Sequence, residues 1–304
     1  MQPRQTMSRI ALKIDVDTLR GALVGVPRLV DLLRKHEAQA TFFVSLGPDQ
    51  TGRAIGLAMQ RHRLGHYGIK TLMHGTLLPG PDIGRACRTI LAATRDAGFE
   101  VGVRAWRSAA WSRHVERARS DWTEREMKRA IDRFTDIFGE APHAHGAADW
   151  QTNIHALRLT QRLGFAYASD CRGTHPFVPM INGEIMLCPQ IPTTLPTLEE
   201  LLAIAGTDEA SALRRLLERT QAPGNHVFAL QAELEGMKWL PTLDRLLGQW
   251  RGQGHSLIAL NDIANALNIA ALPRHEILRG EITGRADMLT TQGPEFLSDW
   301  REAA

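Results

Sequence analysis

Two acidic side chains near the start of the chain have the spacing of a ligand or metal site. Asp15 and Asp17 directly follow an apolar run formed by Ile10, Leu12 and Ile14. Residues two apart on a strand point to the same face, so both carboxylates leave the strand end on one side. In α/β proteins the carboxyl ends of parallel strands usually hold the ligand or metal. Because two like charges this close repel, either a cation lies between them or one carboxyl holds a proton.

The elements that position these acids alternate between apolar strands and amphipathic helices. Predicted strands cover residues 10–14, 40–45, 99–103, 142–147, 165–169, 185–191, 226–232 and 256–260, and predicted helices cover residues 22–36, 83–96, 123–138 and 261–267. Thr123 and Asn261 are expected to cap two of these helices. Regular alternation predicts a single α/β domain, either a barrel or an open parallel sheet. The domain is expected to span residues 1–304, with residues 1–8 and about 286–304 as peripheral tails.

The composition is that of an ordinary globular protein. The 304 residues carry a formal net charge of only +3, and a sequence pI near 9.0 indicates a mild preference for anionic partners. The three cysteines, Cys87, Cys171 and Cys188, lack CxxC spacing and are expected to be buried thiols in a reducing compartment. The sequence shows neither the pattern of a signal peptide nor an apolar run of about 18 residues, so a cytoplasmic location is expected.

Seven longer segments occur in an order that resembles a known enzyme family. They are residues 13–18, 25–29, 47–49, 167–173, 190–197, 232–236 and 278–285. Together they are similar to the 4-deoxy-4-formamido-L-arabinose-phosphoundecaprenol deformylases, a branch of the polysaccharide deacetylase superfamily. The resemblance covers nearly the whole chain and implies a distorted (β/α) barrel, commonly with seven strands. It also implies a hydrolase that acts on a lipid-linked amino sugar at the cytoplasmic face of the bacterial inner membrane.

The resemblance also implies roles for the two aspartates. In that family a divalent metal, usually zinc, is held by one aspartate and a His-x-x-x-His pair, and it activates a water for attack on the formyl carbonyl. An aspartate takes the proton of this water, and a distant histidine protonates the leaving amine. By position in the motifs, Asp15 matches the base and Asp17 matches the metal-binding aspartate.

Five positions depart from the family pattern. They are Arg104 and Ser108 for the two histidines, Arg107 for the aspartate between them, Gln231 for the general-acid histidine, and Gln151 for the arginine that usually follows Trp150. Arg104 cannot ligate a cation, since a guanidinium has no free lone pair. A metal held by Asp17 alone among protein ligands would bind weakly, and Gln231 cannot donate a proton to a leaving group. We therefore expect a metal-free site without a cofactor, in which the hydrolytic mechanism of the family is lost.

Three functions remain open for the altered site. Arg104 is expected to pair with Asp15 and Asp17 in place of the metal, either to keep an inactive site folded or to support Asp15 as a general base. The first function is metal-free acid/base chemistry on a small molecule, with Asp15, Arg104 and Gln231 as the catalytic groups. The second is the binding of a sugar-like or anionic ligand without catalysis. The third is a metal-dependent deformylase with relocated ligands.

Further side chains are candidates for the same site. Asp170 is expected to have either a catalytic role or a structural one, anchoring Arg172 or a backbone turn. The expected pocket residues besides Asp17 are Trp106, Arg107, Ser108, Trp150, Gln151, Arg172 and Glu233, with Trp111 in the core. A relocated metal would be held by His143 and His145, which share a strand face, with His74 and His114 as further ligands.

Residues 52–78 distinguish this chain from family members that act on lipid-linked substrates. Those members carry a longer, more apolar insertion that is thought to lie on the membrane. Here the segment is shorter, basic and rich in histidine, so a solvated helix and loop are expected in place of peripheral membrane contact. The expected partner is a small-molecule or sugar-like ligand, and no nucleic acid is expected.

Overall fold

The fold is built on a curled sheet of parallel strands. The structure is a computed structural model that describes residues 8–54 and 67–296. The strands in these residues are β1 (Arg9–Val16), β2 (Thr41–Ser45), β3 (Glu100–Ala105), β4 (Ala144–His145), β5 (Tyr167–Ala168), β6 (Val178–Ile181), β7 (Glu184–Ile185), β8 (Asn225–Gln231), β9 (Ser256–Ile258), β10 (Arg274–Gly280) and β11 (Leu289–Glu295). Among them β1 to β5, β8 and β9 form a seven-stranded sheet. All pairings in this sheet are parallel, as the alternation of strands and helices predicts.

β1 lies at the centre of the main sheet. The strand order is β5-β4-β3-β2-β1-β8, and β9 pairs with the first residues of β1. β2 pairs with the second half of β1, which places Phe43 opposite Asp15, and β8 on the other side places Gln231 opposite Asp15. Residues 10–16 are all buried. Because side chains alternate along a strand, Ile10 and its even-numbered neighbours pack toward the helices, whereas the odd-numbered residues face the barrel interior.

A loop segment closes the barrel. Among the described strands, the edge strands β5 and β8 do not pair with each other. The segment at residues 190–195 lies between them: Ile191 N donates to the carbonyl of Ala168 in β5, and Leu195 N donates to the carbonyl of Val227 in β8. The result is the distorted, seven-stranded (β/α) barrel of the polysaccharide deacetylase type that the resemblance implies.

The helices pack around the outside of the barrel. Those described are α1 (Val26–Lys35), α2 (Ile69–Met73), α3 (Ile83–Ala86), α4 (Arg88–Asp96), α5 (Ser108–His114), α6 (Ser120–Phe138), α7 (Ile154–Arg162), α8 (Leu198–Leu202), α9 (Glu209–Arg219), α10 (Leu240–Gly252) and α11 (Leu260–Ala264). α1 begins with proline in its first turn, where the missing N–H is not needed. It buries Val26, Leu29 and Leu33 at helical spacing. Within the described residues no helix is long and apolar enough to cross a membrane.

A second, four-stranded sheet was not predicted from the sequence. Within the described residues it has the order β11-β10-β6-β7, and it packs beside the barrel loops. The expectation of a peripheral tail from about residue 286 is wrong, since Leu289 is fully buried in β11. The predicted strand at 185–191 is also wrong, because residues 184–185 belong to β7 and residues 190–195 close the barrel. Residues 1–7, 55–66 and 297–304 lie outside the described part of the chain.

Both predicted helix caps are wrong. α6 begins at Ser120, three residues before Thr123. The Thr123 hydroxyl donates to the carbonyl of Arg119, four residues earlier, and caps no free N–H. The first turn of α11 contains Asn261, and the side chain that caps this turn is Asp262, which accepts a hydrogen bond from Ala259 N at 3.0 Å. In both cases the helix starts earlier than the polar residue suggested, because the preceding residues already adopt helical geometry.

Candidate functional site

The two aspartates and Arg104 meet at the carboxyl ends of the barrel strands. Asp15 is the next-to-last residue of β1, Asp17 directly follows that strand, and Arg104 is the next-to-last residue of β3. The Arg104 side chain is only 1% exposed, and its Nη1 lies 2.8 Å from Oδ1 of Asp15. Its Nε donates a hydrogen bond of 2.8 Å to Oδ1 of Asp17. The guanidinium therefore lies between the two carboxylates, which is the first of the two arrangements expected from their spacing.

The two carboxylates have different surroundings. The side chain of Asp17 is 18% exposed, and its Oδ1 also accepts a hydrogen bond from Ser45 Oγ at 2.8 Å. The side chain of Asp15 is only 2% exposed. Its Oδ1 accepts no well-aligned hydrogen bond from any described residue, and Arg104 Nη1 donates instead to the carbonyl of Ala147 at 3.2 Å. Asp15 is thus charge-compensated, but one of its oxygens is an unsatisfied acceptor.

Lys13 is a further charged group in the barrel interior, and the sequence analysis did not single it out. Lys13 is fully buried, and its Nζ donates a hydrogen bond of 2.6 Å to the carbonyl of Ser169. The ammonium lies 5.4 Å from the ring centroid of Phe43 and 5.3 Å from that of Trp150, close enough for cation–π attraction. The sequence could have identified Lys13, because it lies two residues before Asp15 and therefore on the same face of the strand.

Burial and charge shift the pKa values of this cluster. Burial raises the pKa of the Asp15 carboxyl above its usual value, and the positive charges of Arg104 and Lys13 oppose this only in part. Burial also lowers the pKa of the Lys13 ammonium, although Asp15 opposes the change. For Arg104 burial acts to lower the pKa, but Asp15 and Asp17 outweigh it and the guanidinium stays charged. Asp15 therefore holds a proton more readily than an exposed aspartate does.

A small cavity lies between Asp15 and Gln231. Its walls also include Trp150, Glu199 and Glu235, and its volume is about 10 Å³, room for about one water molecule. The backbone N of Gln231 donates to the Glu235 carboxylate at 2.8 Å. The Gln231 side-chain Oε1 is buried and accepts no hydrogen bond from the described residues. The residues that carry two unsatisfied acceptors, Asp15 Oδ1 and Gln231 Oε1, thus wall the same cavity.

Asp170 stabilises the backbone beside the site. Its Oδ1 accepts a hydrogen bond from Ala147 N at 2.7 Å and lies 2.8 Å from Nδ1 of His145. The expected anchoring of a backbone turn is therefore present in the bond to Ala147. The expected anchoring of Arg172 is wrong, since Arg172 forms its ion pair with Glu200 at 2.8 Å. Asp170 does not wall the cavity beside Asp15.

A second buried ion-pair group lies against Trp150. Glu200 lies 2.8 Å from Nη1 of Arg172 and 2.8 Å from Nε of Arg285, and the two guanidinium carbons lie 4.9 and 4.8 Å from the centroid of the Trp150 ring. Burial acts to raise the pKa of Glu200, but the two arginines outweigh it and lower the pKa. Trp150 and the preceding Asp149 have φ values of 51° and 53°, in the left-handed region that non-glycine residues rarely adopt. This loop is therefore held under strain at the cavity wall.

Several expected pocket residues do not wall the cavity. They are Asp17, Trp106, Arg107, Ser108, Gln151, Arg172 and Glu233. Trp106 carries the guanidinium of Arg133 at 5.3 Å over its ring, on the side of α6. Arg107 points to the same helix and forms an ion pair of 2.5 Å with Glu126. Trp111 is fully buried in the apolar core, as expected.

The histidines considered for a relocated metal site lie apart. His145 contacts Asp170, His74 contacts Asp49, and His114 contacts Trp122. His143 lines a separate cavity. Across residues 8–54 and 67–296, no group of three or more His, Cys, Asp or Glu side chains is placed to hold a metal ion. The structure therefore does not bring these four histidines into one site.

The side chains at the strand ends do not fit a divalent metal. Arg104 nitrogens lie 2.8 Å from one carboxylate oxygen of each aspartate, and a guanidinium has no lone pair to offer a metal. With Lys13 and Arg104 as the cations, the charges of Asp15 and Asp17 are already balanced. A divalent cation added beside Arg104 would leave excess positive charge in a buried, poorly solvated place.

Comparisons with solved structures define the fold. A Mycobacterium smegmatis protein assigned as a polysaccharide deacetylase superposes with a TM-score of 0.64 and 17% sequence identity, covering 93% of this chain and 97% of that chain. A CE4 family pseudoenzyme from Bacillus anthracis superposes with a TM-score of 0.51 and 12% identity, covering 86% of this chain and 66% of that chain. The fold is that of the polysaccharide deacetylases.

Sequence relatives narrow the class to one family. A Shewanella sediminis (strain HAW-EB3) protein assigned as the 4-deoxy-4-formamido-L-arabinose-phosphoundecaprenol deformylase ArnD is 30% identical over 298 residues, which are 95% of this chain and 96% of the relative. A protein of the same assignment from Wigglesworthia glossinidia brevipalpis is 28% identical over 285 residues, 90% of this chain and 98% of the relative. No family model matches the chain. The chain belongs to the ArnD deformylase family and is a deformylase-like and deacetylase-like member of this hydrolase class.

Proposed function

We propose that this chain carries out metal-independent acid/base chemistry on a small polar molecule, with Asp15 as the group that transfers the proton. The observation that carries the proposal is the position of Arg104, whose guanidinium lies 2.8 Å from one oxygen of each aspartate. A fixed cation there compensates and orients both carboxylates without a metal. Asp17 acts as a positioning residue, because it holds the Nε side of Arg104 while Nη1 remains beside Asp15.

The surroundings of Asp15 suit proton transfer. Burial raises its pKa, so that the carboxyl exchanges a proton more readily at mild pH than an exposed aspartate does. Arg104 and Lys13 are fixed cations in a poorly solvated interior, where they stabilise negative charge that develops on a ligand. Together these groups supply a base or acid and the electrostatic support for an anionic intermediate.

The unsatisfied acceptors indicate the class of ligand. Gln231 Oε1 accepts no hydrogen bond from the described residues, and Asp15 Oδ1 has the Arg104 ion pair at 2.8 Å but no well-aligned hydrogen bond. Both side chains wall the cavity at the strand ends. A buried acceptor without a donor is destabilising, so a ligand hydroxyl or amine that donates to it gains affinity. Sugars and amino sugars carry such groups. Because the cavity holds about one water molecule, one hydroxyl or amine enters it while the sugar ring stays outside.

The proposal departs from the reaction for which the relatives are named. Hydrolysis of a formamide needs an activated water and a proton for the leaving amine. In this chain Arg104 takes the position of the cation, and the amide of Gln231 has no proton to give at ordinary pH. We therefore propose that the chain does not release formate from the formamido sugar on which its relatives are named to act.

Binding without turnover is the second candidate function, and one observation favours it. The cavity of about 10 Å³ between Asp15 and Gln231 is too small for a sugar ring. A protein that only recognises one protruding hydroxyl or amine would need no more room than this. In that case Arg104 would serve to keep the Asp15 carboxylate charged and in place.

The test compares wild-type protein with Asp15→Asn and with Asp132→Asn, a matched change at an exposed aspartate of α6. Each protein is incubated in D2O with 4-amino-4-deoxy-L-arabinose or its N-formyl derivative. NMR then follows the incorporation of deuterium at the carbon next to the carbonyl of the open-chain sugar. Wild type and the control should exchange this proton, and Asp15→Asn should exchange it about 10²–10⁴-fold more slowly. Sugar binding by calorimetry without exchange would leave only the second function. Formate release by wild type with a stoichiometric metal would overturn both.

A further inference from the structure

Two histidine rings outside the candidate site bring their Nε2 atoms within 3.1 Å of each other. His175 lies in the loop after β5, five residues beyond Asp170, and His275 lies on β10 of the second sheet. His175 is exposed, whereas His275 is buried beneath it. Neither residue takes part in the chemistry proposed above, so the contact requires its own explanation.

The hydrogen bond of His275 decides which nitrogen of its ring carries the proton. Its Nδ1 lies 2.8 Å from the carbonyl oxygen of Gly293. A carbonyl only accepts, so Nδ1 is the N–H donor and the Nε2 of the neutral ring presents a lone pair. A histidine that ligates a metal is commonly oriented in this way, with its second nitrogen donating to a backbone carbonyl.

The same argument applies to His175. Its Nδ1 lies 2.8 Å from Thr174 Oγ1, and that hydroxyl donates its own hydrogen to Gln292 Oε1 at 3.3 Å. Thr174 Oγ1 therefore accepts from His175 Nδ1, which leaves a lone pair on His175 Nε2. Gln292 Oε1 also accepts from Thr174 N at 2.8 Å, and this orientation turns the amide nitrogen toward His175 Nε2 at 3.1 Å.

Each Nε2 thus presents its single lone pair toward the other ring. The Gln292 amide donates to the lone pair of His175, whereas the lone pair of His275 accepts from no donor among the described residues. Facing lone pairs repel, and a cation that displaces the Gln292 amide and binds both nitrogens would remove this repulsion. We propose that His175 and His275 bind a transition-metal ion of the zinc or copper class through their Nε2 atoms, with water as the remaining ligands. With metal–nitrogen distances of about 2.0–2.1 Å, a separation of 3.1 Å corresponds to an angle at the metal of about 95–100°, between tetrahedral and tetragonal values.

The surroundings give such an ion access from solvent and would let it link two segments of the chain. His175 is open to solvent, and Glu295 pairs across the hairpin with His275 and adds negative charge. The loop of His175 already bonds to β11, since Arg172 N donates to Thr290 O and Gln292 N donates to Arg172 O. A bound ion would add a side-chain link between this loop and the β10–β11 hairpin, and would tighten the segment that carries Asp170 and Arg172.

The experiment titrates tag-free protein with zinc chloride or copper chloride at pH 7.5 by calorimetry. Wild type should bind about one ion per chain at this site, and His175→Gln should lose that binding. His143→Gln is the control: it removes an exposed histidine that lines a separate cavity, and this variant should keep the metal binding. His175 is exposed, so its variant should fold, and equal melting temperatures without metal would verify this. Hydrogen exchange of residues 170–176 should slow on metal addition in wild type only.

Two results would overturn the site. The first is metal binding of equal strength in wild type, His175→Gln and His275→Gln, which would place the ion elsewhere. The second is no binding by wild type together with an imidazole NMR titration of the pair, which would show that His175 and His275 share only a proton. Neither result depends on whether Asp15 is catalytic, so this test stands apart from that of the proposed function.

Discussion

Replacing Arg104 by alanine should strongly destabilise the fold, and the structure allows the loss to be estimated. The change leaves Asp15, whose side chain is 2% exposed, without its ion-pair partner, while the more exposed Asp17 keeps Ser45 and solvent. Removing one partner of a buried ion pair costs about 3–5 kcal/mol. Because Lys13 remains in the same interior, the lower end of this range is expected. Such a loss is a large fraction of the roughly 5–15 kcal/mol that stabilises a typical domain.

The assay is urea unfolding at pH 7.5, followed by circular dichroism. Arg104→Met combined with Asp15→Asn should recover much of the stability, because the double variant removes both charges of the buried Arg104–Asp15 pair together and leaves Lys13 and Asp17 as one cation and one anion. Arg158→Ala is the surface control: it removes an exposed bidentate pair with Glu184 and should give no measurable change. An Arg104→Ala protein as stable as wild type would refute the reasoning, and so would a double variant as unstable as the single one.

Four further predictions follow from contacts around the site. Arg104→His with Ser108→His should gain about one zinc per chain relative to wild type, measured by metal analysis after dialysis, since it removes the competing guanidinium and adds two ligands. Asp170→Ala should destabilise by about 1–3 kcal/mol in urea unfolding, because Ala147 N loses its buried acceptor. Glu200→Gln should lower stability by an amount that is constant above about pH 5 and shrinks below pH 4. A carboxyl with a lowered pKa stabilises above its unfolded value and loses this effect as pH falls through the folded value. The three buried thiols, two of which have pKa values raised to about 12, should not react with a disulfide reagent at pH 8 until urea unfolds the chain.

Much of the site could be read from local sequence. The spacing of Asp15 and Asp17 indicated either a nearby cation or a protonated carboxyl, and an arginine in the aligned metal-binding segment supplied the cation. Strand alternation then placed these residues at one end of a parallel sheet. The same rule applied to Lys13 would have revealed the third charge, but a lysine is rarely fully buried and was therefore not assigned to the barrel interior.

Other features depend on contacts that no local pattern encodes. Arg172 bonds to Glu200, 28 residues away, and not to its near neighbour Asp170. Arg107 points outward because Glu126 on α6 attracts it, although it stands inside the segment aligned with the metal ligands. The second sheet also escaped prediction, since β7 has only two residues and gains its stability from the neighbouring strand.

The central place of β1 also has a consequence for how the chain folds. Arg9 at its start bonds to Asn225, 216 residues later, and pairs in register with Ser256. The barrel therefore cannot close during synthesis until β9, which ends at Ile258 of a 304-residue chain, has left the ribosome. Pairings this distant in sequence form slowly, because loop closure precedes any gain from contact. Until then the apolar face of β1 and its buried charges stay open to water and to other chains, so C-terminal truncation before β9 should yield an aggregating product, not a smaller folded domain.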